Sequence, residues 1–437
     1  MLTFGTDGVR AQALTQLTTD FVRALGAAAA RTLDGGTIIV GRDTRESGPE
    51  LQRAFSEGAA SEGVAIRDLG VVPTPAVAWL CQADELPGAM LSASHNPWQD
   101  NGVKLFSAGG KKLSDADQDV IQAQLDEAYG AGYPLEPVEP TVESGGIGRY
   151  IDAVVASIDG RSFSDKTVVL DSANGSASTT AEVIFERLGA TVVSLADSPD
   201  GRNINDGVGS THPEFLQAAV VEHGADAGFA FDGDADRIAA VGSDGNVIDG
   251  DRIIAMSALD RRDQGTLADN TVVITVMTNL GFRRAMEAEG LDLVETPVGD
   301  RYVLEALDEG GYTLGGEQSG HVIHRDLATT GDGVLTAVQL FDAVLRRDVD
   351  MGEWAASVMT RFPQVLENVR MEAKLPNLID LLAEPISEVE AELGNDGRVL
   401  IRESGTEPVV RVMVEAADSE MAASSAARLV RAVEDLR

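Results

Sequence analysis

The feature that most restricts this chain is an alternation that runs almost from end to end. Short apolar runs with strand character at 37–41, 64–66 and 89–91 are interleaved with segments of helical period at 50–62 and 75–81. The same rhythm returns at 150–158 (helix), 167–170 (strand), 180–188 (helix) and 229–231 (strand), with a hairpin near Gly245. It returns again at 251–259 (helix), 271–276 (strand), 282–288 (helix), 293–294 (strand), 301–307 (helix) and 334–345 (helix). Strands alternating with helices cannot bury their apolar faces except as sheets covered by helices, so the expected class is α/β. The tail differs: strand, helix 377–393, strands 398–401 and 409–414, and helix 421–436 describe a smaller α+β layer. Three similar mixed α/β units and a different fourth are expected, with boundaries at 1–147, 148–249, 250–362 and 363–437. The first boundary is placed by Pro134, Pro137, Pro140 and a run of Gly.

The length of 437 residues suits several domains, and 43% hydrophobic with 24% charged residues is an ordinary globular balance, which excludes a mainly disordered chain. The net charge of −37 excludes other things. A surface this acidic repels phosphate backbones and anionic lipid, so neither nucleic acid nor membrane is an expected partner. No apolar run reaches spanning length and the first residues lack a signal peptide's apolar stretch, so a soluble cytoplasmic protein is expected. A single cysteine, Cys81, rules out an internal disulfide and a Cys-based metal cluster.

In open α/β sheets ligands collect beyond strand ends, and four polar loops stand at such places. Ser92-Ala93-Ser94-His95-Asn96-Pro97, followed by Lys104, sets a serine beside a histidine; it suits an activated nucleophile or, equally in residue type, a turn. Asp232-Gly233-Asp234-Ala235-Asp236-Arg237 offers three carboxylates that can converge if alternate residues of an extended loop share a side. Oxygen donors without His or Cys suit a hard cation such as Mg²⁺, although a solvated acidic turn would use the same residues. Gly315-Gly316-Glu317-Gln318-Ser319-Gly320-His321 places hydroxyl-reading side chains between glycines. Arg402-Glu403-Ser404-Gly405-Thr406-Glu407-Pro408 with Arg411 is either a phosphate cradle or a surface loop of internal ion pairs. No P-loop is present. A serine, one divalent cation, a polyol reader and a remote phosphate clip together suit phosphoryl transfer within a phosphosugar.

These four motifs, in this order and over essentially the whole chain, resemble the α-D-phosphohexomutases. The opening residues 4–10, Gly299-Asp300-Arg301-Tyr302-Val303 and residues 410–415 are most similar to the phosphoglucosamine mutase branch of that family. The resemblance implies four domains around a central cleft and the interconversion of glucosamine 6-phosphate and glucosamine 1-phosphate. It implies Ser94 as a phosphoserine and a Mg²⁺ held by Asp232, Asp234, Asp236 and the phosphate on Ser94, with glucosamine 1,6-bisphosphate as intermediate and primer. By the same resemblance Glu317 and Ser319 read sugar hydroxyls; Arg402, Ser404, Gly405, Thr406 and Arg411 clip the distal phosphate; and Arg10, His95, Lys104 and Arg237 surround the reacting one. Lys104 is the expected general acid/base, on the expectation that Mg²⁺ and arginines surround it. Ala235 and Ala11 stand where the family often has Gly. A phosphomannomutase or phosphoglucomutase, a metal-dependent sugar phosphatase and a noncatalytic phosphosugar binder are the alternatives. A monomer and a homodimer are both left open.

Overall fold

A computed structural model describes residues 2–3, 8–130, 142–144, 146–372, 375, 377–403 and 408–436. Most of the expected linker at 130–148, together with Phe4–Asp7 and Ser404–Glu407, lies outside these residues. The chain begins with β1 (Val9–Gln12), α1 (Thr19–Thr32), β2 (Thr37–Arg42), α2 (Gly48–Ser61), β3 (Ala65–Val71), α3 (Thr74–Asp84), β4 (Gly88–Leu91), β5 (Asp100–Phe106), α4 (Asp115–Gly130) and β6 (Val142–Ser144). Its sheet has the order β1-β5-β4-β2-β3-β6, parallel from β4 through β6 and antiparallel at β4–β5 and β1–β5. Ile38 and Val40 of β2 meet Phe21 and Leu25 of α1 and Leu51 and Phe55 of α2 in one core. The sequence pattern assigned no helix to 19–32. Residues 24–29 of α1 are all buried, which leaves only a thin polar edge of Asp20, Arg23 and Arg31; its start is set by Thr18, whose side chain accepts the Phe21 N–H.

The second sheet follows α5 (Ile147–Ala156) and contains β7 (Thr167–Asp171), α6 (Ala181–Arg187), β8 (Thr191–Leu195), α7 (Glu214–His223), β9 (Ala227–Phe231), β10 (Ile238–Gly242) and β11 (Val247–Ile248). The strand order is β11-β10-β9-β7-β8, with Gly245 in the β10–β11 turn as expected. β9 is buried along its whole length and delivers the chain directly into Asp232. The third comprises α8 (Gly250–Asp263), β12 (Thr271–Thr275), α9 (Leu280–Ala288), β13 (Asp292–Thr296), α10 (Asp300–Gly310), β14 (Leu314–Gly316), β15 (Val322–His324), α11 (Gly333–Arg347) and α12 (Met351–Val358), with strands in the order β13-β12-β14-β15. α11 packs back on the second sheet. Its Phe341 ring lies 5.0 Å from Phe163 and 6.0 Å from Phe229, so the second and third α/β layers share one aromatic core.

The tail is β16 (Gln364–Arg370), α13 (Leu378–Leu381), α14 (Ala383–Leu393), β17 (Gly397–Glu403), β18 (Val409–Ala416) and α15 (Ser419–Glu434), with an antiparallel sheet β16-β18-β17 over a core that includes Val412, Val414 and Leu429. The expected single helix 377–393 is two, interrupted at Leu382 just before Pro385, which cannot donate an N–H and so falls in the first turn of the second helix. The chain forms two compact units, Met1–Met277 with Leu291–Ser357, and Thr278–Gly290 with Val358–Arg437. α9 therefore belongs with the tail. Within that unit Asn279 Nδ2 donates to Glu415 Oε1 (3.1 Å) and to the Phe362 carbonyl (3.0 Å), and Arg398 Nε donates to Glu415 Oε2 (2.6 Å). No helix among the described residues is long and apolar enough to cross a membrane.

Candidate active site

β4 ends at Leu91 and the chain turns sharply, with Ser94 in the left-handed region at φ +54°. That conformation costs a non-glycine residue of order 1–2 kcal/mol, so something must hold it. Ser94 N–H donates to Ser92 Oγ (2.9 Å), which donates to Asp43 Oδ2 (2.6 Å). Asp43 pairs in turn with Arg45 Nε at 2.9 Å, and neither side chain has exposed surface. The Arg45 guanidinium then gathers the loop: it donates to the carbonyls of Ser94 (2.9 Å), Asn96 (2.8 Å), Asp100 (3.0 Å) and Pro97. Asn205 Nδ2, from the second sheet's layer, donates to the Ser94 and Asn96 carbonyls at 2.9 and 3.1 Å. Burial raises the Asp43 carboxyl above its ordinary value, and Arg45 and Ser92 oppose the rise.

The loop after β9 meets this turn. A Cβ on Gly233 would stand 2.7 Å from the Ser94 carbonyl, so only glycine lets the two loops touch. Asp232, Asp234 and Asp236 are all buried, each offering an oxygen within 4.8 Å of the others. Convergence comes from a tight turn with Ala235 at φ +57°, and the Ala235 N–H donates to the Asp232 carbonyl; the extended alternation expected from the sequence is not the cause. The left-handed angle explains why glycine is a natural occupant of position 235. Ser94 Oγ donates to Asp232 Oδ2 at 2.5 Å. Lys104, buried on β5, places Nζ 2.8 Å from both Asp234 Oδ2 and Asp236 Oδ2, and Thr74 Oγ1 donates to Asp234 Oδ2 at 2.6 Å. Two of the partners of Lys104 are thus carboxylates, the reverse of the cationic surroundings expected from the sequence.

Charge in this cage is only partly balanced. Burial, then the charges of Asp236 and Asp234, drive the Asp232 carboxyl well above its ordinary value. Burial also works against the charge on Asp236, yet Lys104, His321 and Arg237 hold its carboxyl well below the usual range. Asp234 Oδ1 and Asp236 Oδ1 are buried without a hydrogen-bond partner. Three convergent carboxylates with orphaned oxygens fit a hard divalent cation.

Beside the cage is a cavity of about 480 Å³ whose lining includes Arg10, Arg237, Asp300, Glu317, Ser319 and His321. Glu317 Oε1 accepts the Gly299 N–H at 3.1 Å, and burial pushes its carboxyl up. Gly320, at φ +88°, would set a Cβ 2.0 Å from the Ile238 carbonyl, so the sugar-loop candidate is pressed against the strand leaving the acidic loop. Arg237 Nη1 lies 3.0 Å from His95 Nδ1. A guanidinium can only donate, so Nδ1 is the acceptor and any ring proton sits on Nε2. Burial and the charges of Arg237 and Arg10 lower the His95 pKa to about 4, leaving it neutral near pH 7, with Nδ1 3.4 Å from Ser94 Oγ.

The fourth motif lies in the tail unit. Arg402 and Arg411 face each other across β17 and β18, and neither has a carboxylate partner among the described residues. Burial and then Arg411 lower the Arg402 pKa. Directly opposed like charges destabilise a strand pair, and an anion would relieve them. Ser404, Gly405 and Thr406 lie outside the described residues.

Four stretches of the chain match known domain families. Residues 1–130, 148–245 and 249–362 match the phosphoglucomutase/phosphomannomutase α/β/α domains I, II and III, and 366–432 match its C-terminal domain. The phosphoglucosamine mutase of Thermobifida fusca is 49% identical over 441 residues, covering 99% of this chain and 98% of its own; that of Streptomyces griseus is 50% identical over 446 residues, covering 98% of each. The chain is an α-D-phosphohexomutase of the phosphoglucosamine mutase branch. A phosphohexomutase-family protein from Burkholderia thailandensis shares the fold with a TM-score of 0.81 at 25% identity, covering 98% of this chain and 97% of that one. An N-acetylphosphoglucosamine mutase of Aspergillus fumigatus, solved with GlcNAc-6P and magnesium, has a TM-score of 0.71 at 19% identity, covering 100% and 96%.

In this phosphohexomutase the first three motifs come together in one unit: Ser94, His95, Lys104, the three aspartates and Arg237 around the acidic cage, with Arg10, Glu317 and Ser319 on the adjoining cavity. Sequence reasoning missed Asp43, Arg45, Thr74 and Asn205, and it quoted Asp300 and His321 within motifs without giving either a role. The Asp43-Thr44-Arg45 run also follows a strand directly, which was the available signal.

Proposed function

We propose that the chain interconverts glucosamine 6-phosphate and glucosamine 1-phosphate through a phosphorylated Ser94 and glucosamine 1,6-bisphosphate. The observation that carries the proposal is the buried Ser94 hydroxyl, held in a strained turn 2.5 Å from Asp232 at the edge of a three-carboxylate cage. A structural serine needs neither the strain nor the cage.

Asp232, Asp234 and Asp236, with the phosphate on Ser94, would hold the divalent cation, for which oxygen-only donors favour Mg²⁺. When bound it neutralises charge on the phosphoryl oxygens. The chain's own residues do the rest. Arg10 and Arg237 supply positive charge at the cavity wall, and Glu317 and Ser319 supply polar groups for sugar hydroxyls. In the first half-reaction the free sugar hydroxyl attacks phosphorus; its O–P bond forms as the Ser94 Oγ–P bond breaks. The hydroxyl proton is lost and Ser94 Oγ gains one. Lys104, whose Nζ sits in the cage within hydrogen-bond reach of Asp234 and Asp236, is the proposed carrier: its ammonium gives a proton to Ser94 Oγ as the Oγ–P bond breaks, and the amine so formed takes the proton that the sugar hydroxyl loses. The second half-reaction runs in reverse with the other phosphate, restoring phosphoserine. Neutral His95 keeps Nδ1 toward Ser94 without adding a further charge. Arg402, Ser404, Gly405, Thr406 and Arg411 are proposed to grip the phosphate that is not reacting, a role supported by the uncompensated Arg402–Arg411 pair. The product would feed UDP-N-acetylglucosamine synthesis in the cytoplasm.

Mass spectrometry of the purified protein, coupled to an assay on glucosamine, glucose and mannose 6-phosphates, tests the proposal. Phosphate on Ser94 with preference for the amino sugar is expected. Full turnover by Ser94→Ala, or release of inorganic phosphate in place of the sugar 1-phosphate, would overturn it.

A further inference from the structure

The cavity is electrically lopsided. Arg10 and Arg237 stand in its lining together with two acidic residues, Glu317 and Asp300, that belong to no part of the cage. These two are neighbours: Glu317 Oε1 takes the N–H of Gly299, the residue before Asp300, and the Asp300 charge adds to the burial that raises the Glu317 carboxyl. Two acids facing one cavity call for positive charge between them. Their situations differ. Glu317 is anchored by a backbone N–H, and its raised carboxyl suits exchange of hydrogen bonds with neutral hydroxyls. Asp300 opens α10, where the helix dipole favours negative charge, and its side chain is 14% exposed. Lys112, its side chain 7% exposed, reaches over from the β5 edge to bind Asp300 Oδ2, and His321 Nε2 lies 3.5 Å from the same oxygen. Among the described residues every hydrogen bond and ion pair of Asp300 ends on Oδ2; none ends on Oδ1. Lys112 thus fixes the carboxylate by one oxygen and leaves the other for a ligand in the cavity.

A hexose phosphate with a 2-hydroxyl is an anion with a neutral ring, whereas a 2-amino hexose phosphate is a zwitterion. Only the second brings a cation to set against a carboxylate of a cavity lined by guanidiniums and carboxylates together. Resting on the function proposed above, we propose that Asp300 is the specificity-determining residue of this site, its Oδ1 accepting a charge-assisted hydrogen bond from the 2-ammonium group of the substrate. A 2-hydroxyl in that position gains only a neutral donor's hydrogen bond, and the difference between charged and neutral donors is worth roughly tenfold in binding.

The test compares wild type with Asp300→Asn, which keeps the shape and one acceptor. The KM for glucosamine 6-phosphate and the competitive inhibition constant of glucose 6-phosphate are measured in the same assay, with calorimetric dissociation constants for both sugars should turnover be too slow. The constant for the amino sugar should rise about tenfold or more while that for glucose 6-phosphate changes less than about threefold. Parallel changes in the two constants, or no change in either, would overturn the assignment of Asp300 alone. A wild type that does not turn over glucosamine 6-phosphate would overturn the underlying function as well. A circular-dichroism melt identical to wild type keeps loss of fold out of the comparison, and Asp300→Ser provides a second neutral variant of different shape on which the same ratio must shift.

Discussion

Arg45→Met removes the guanidinium that gathers the Ser94 turn and keeps most of its apolar stem. Asp43 is then a buried acid without its cation, left with the Ser92 hydroxyl and the residue-45 backbone N–H. Its carboxyl is already raised by burial, so losing the opposing charge pushes it toward the protonated form. The carbonyls fare better: Ser94 and Asn96 retain Asn205, and Pro97 retains the Asp100 N–H at 3.1 Å. The ion-pair loss therefore dominates. Breaking one side of a buried pair costs about 3–5 kcal/mol, which for a urea slope of about 3 kcal/mol per molar moves the midpoint down by about 1–1.7 M. Trp98, between the gathered Pro97 and Asp100 carbonyls and stacked 5.2 Å under the Arg202 guanidinium, supplies the fluorescence probe. Replacing both partners, Asp43→Asn with Arg45→Met, should cost less than the two single losses added together, with a coupling of about 2 kcal/mol or more. Turnover should fall alongside, because the left-handed Ser94 no longer has its support. A midpoint shift under about 0.3 M with normal kcat would show that Asn205 and the turn suffice and that the reasoning about Arg45 is wrong.

Asp232→Asn should raise the melting temperature measured in chelator, since it removes the carboxylate that burial and two like charges disfavour, while abolishing turnover; a chelated variant less stable than wild type contradicts the charge imbalance. Asp332 caps α11 by accepting the Leu335 N–H at 2.9 Å and the Tyr150 hydroxyl at 2.9 and 3.0 Å, and burial raises its pKa to about 6. The folded state thus holds a proton between about pH 4 and 6 that the unfolded state has released. This contribution is complete below about pH 4 and is lost as the pH rises through 6, by about 3 kcal/mol in all at about 1.4 kcal/mol per unit. Subtracting the pH-stability curve of Asp332→Asn from that of wild type should leave that step, and a flat difference refutes it. Lys104→Arg keeps a cation between Asp234 and Asp236 but cannot deliver a proton, so kcat should fall at least about a hundredfold with little loss of stability. Full turnover would remove Lys104 from proton transfer.

The parts of the site legible in the sequence were those whose chemistry is packed into a few consecutive residues. Asp232, Asp234 and Asp236 put three acids in five positions, so their convergence could be anticipated even though a solvated turn uses the same residues, and Glu317 and Ser319 stand between glycines. The supports were not legible because each is a meeting of distant residues. Arg45 reaches the Ser94 carbonyl across 49 positions, Asn205 across 111, and Thr74 reaches Asp234 across 160. No local pattern records such pairs. The elements show a similar division. Strands at the centres of parallel sheets read as apolar runs, whereas α1 buries residues 24–29 in succession and keeps only a thin polar edge of Asp20, Arg23 and Arg31, which is easily passed over. Pro385 could have split the 377–393 helix in advance, since a proline within a helix requires a start nearby.

The placement of α9 bears on how this protein can be taken apart. A fragment cut at the boundary suggested by linear sequence, beginning at 363, would lose Asn279, whose amide binds Glu415, and Arg284, whose Nη1 donates to Asp396 Oδ1 at 3.0 Å. The complementary fragment would carry an orphan helix with its docking surface missing. Exchange of C-terminal modules among relatives is therefore an operation on two segments at once, and chimaeras joined at a single seam should inherit mismatched halves of one small core.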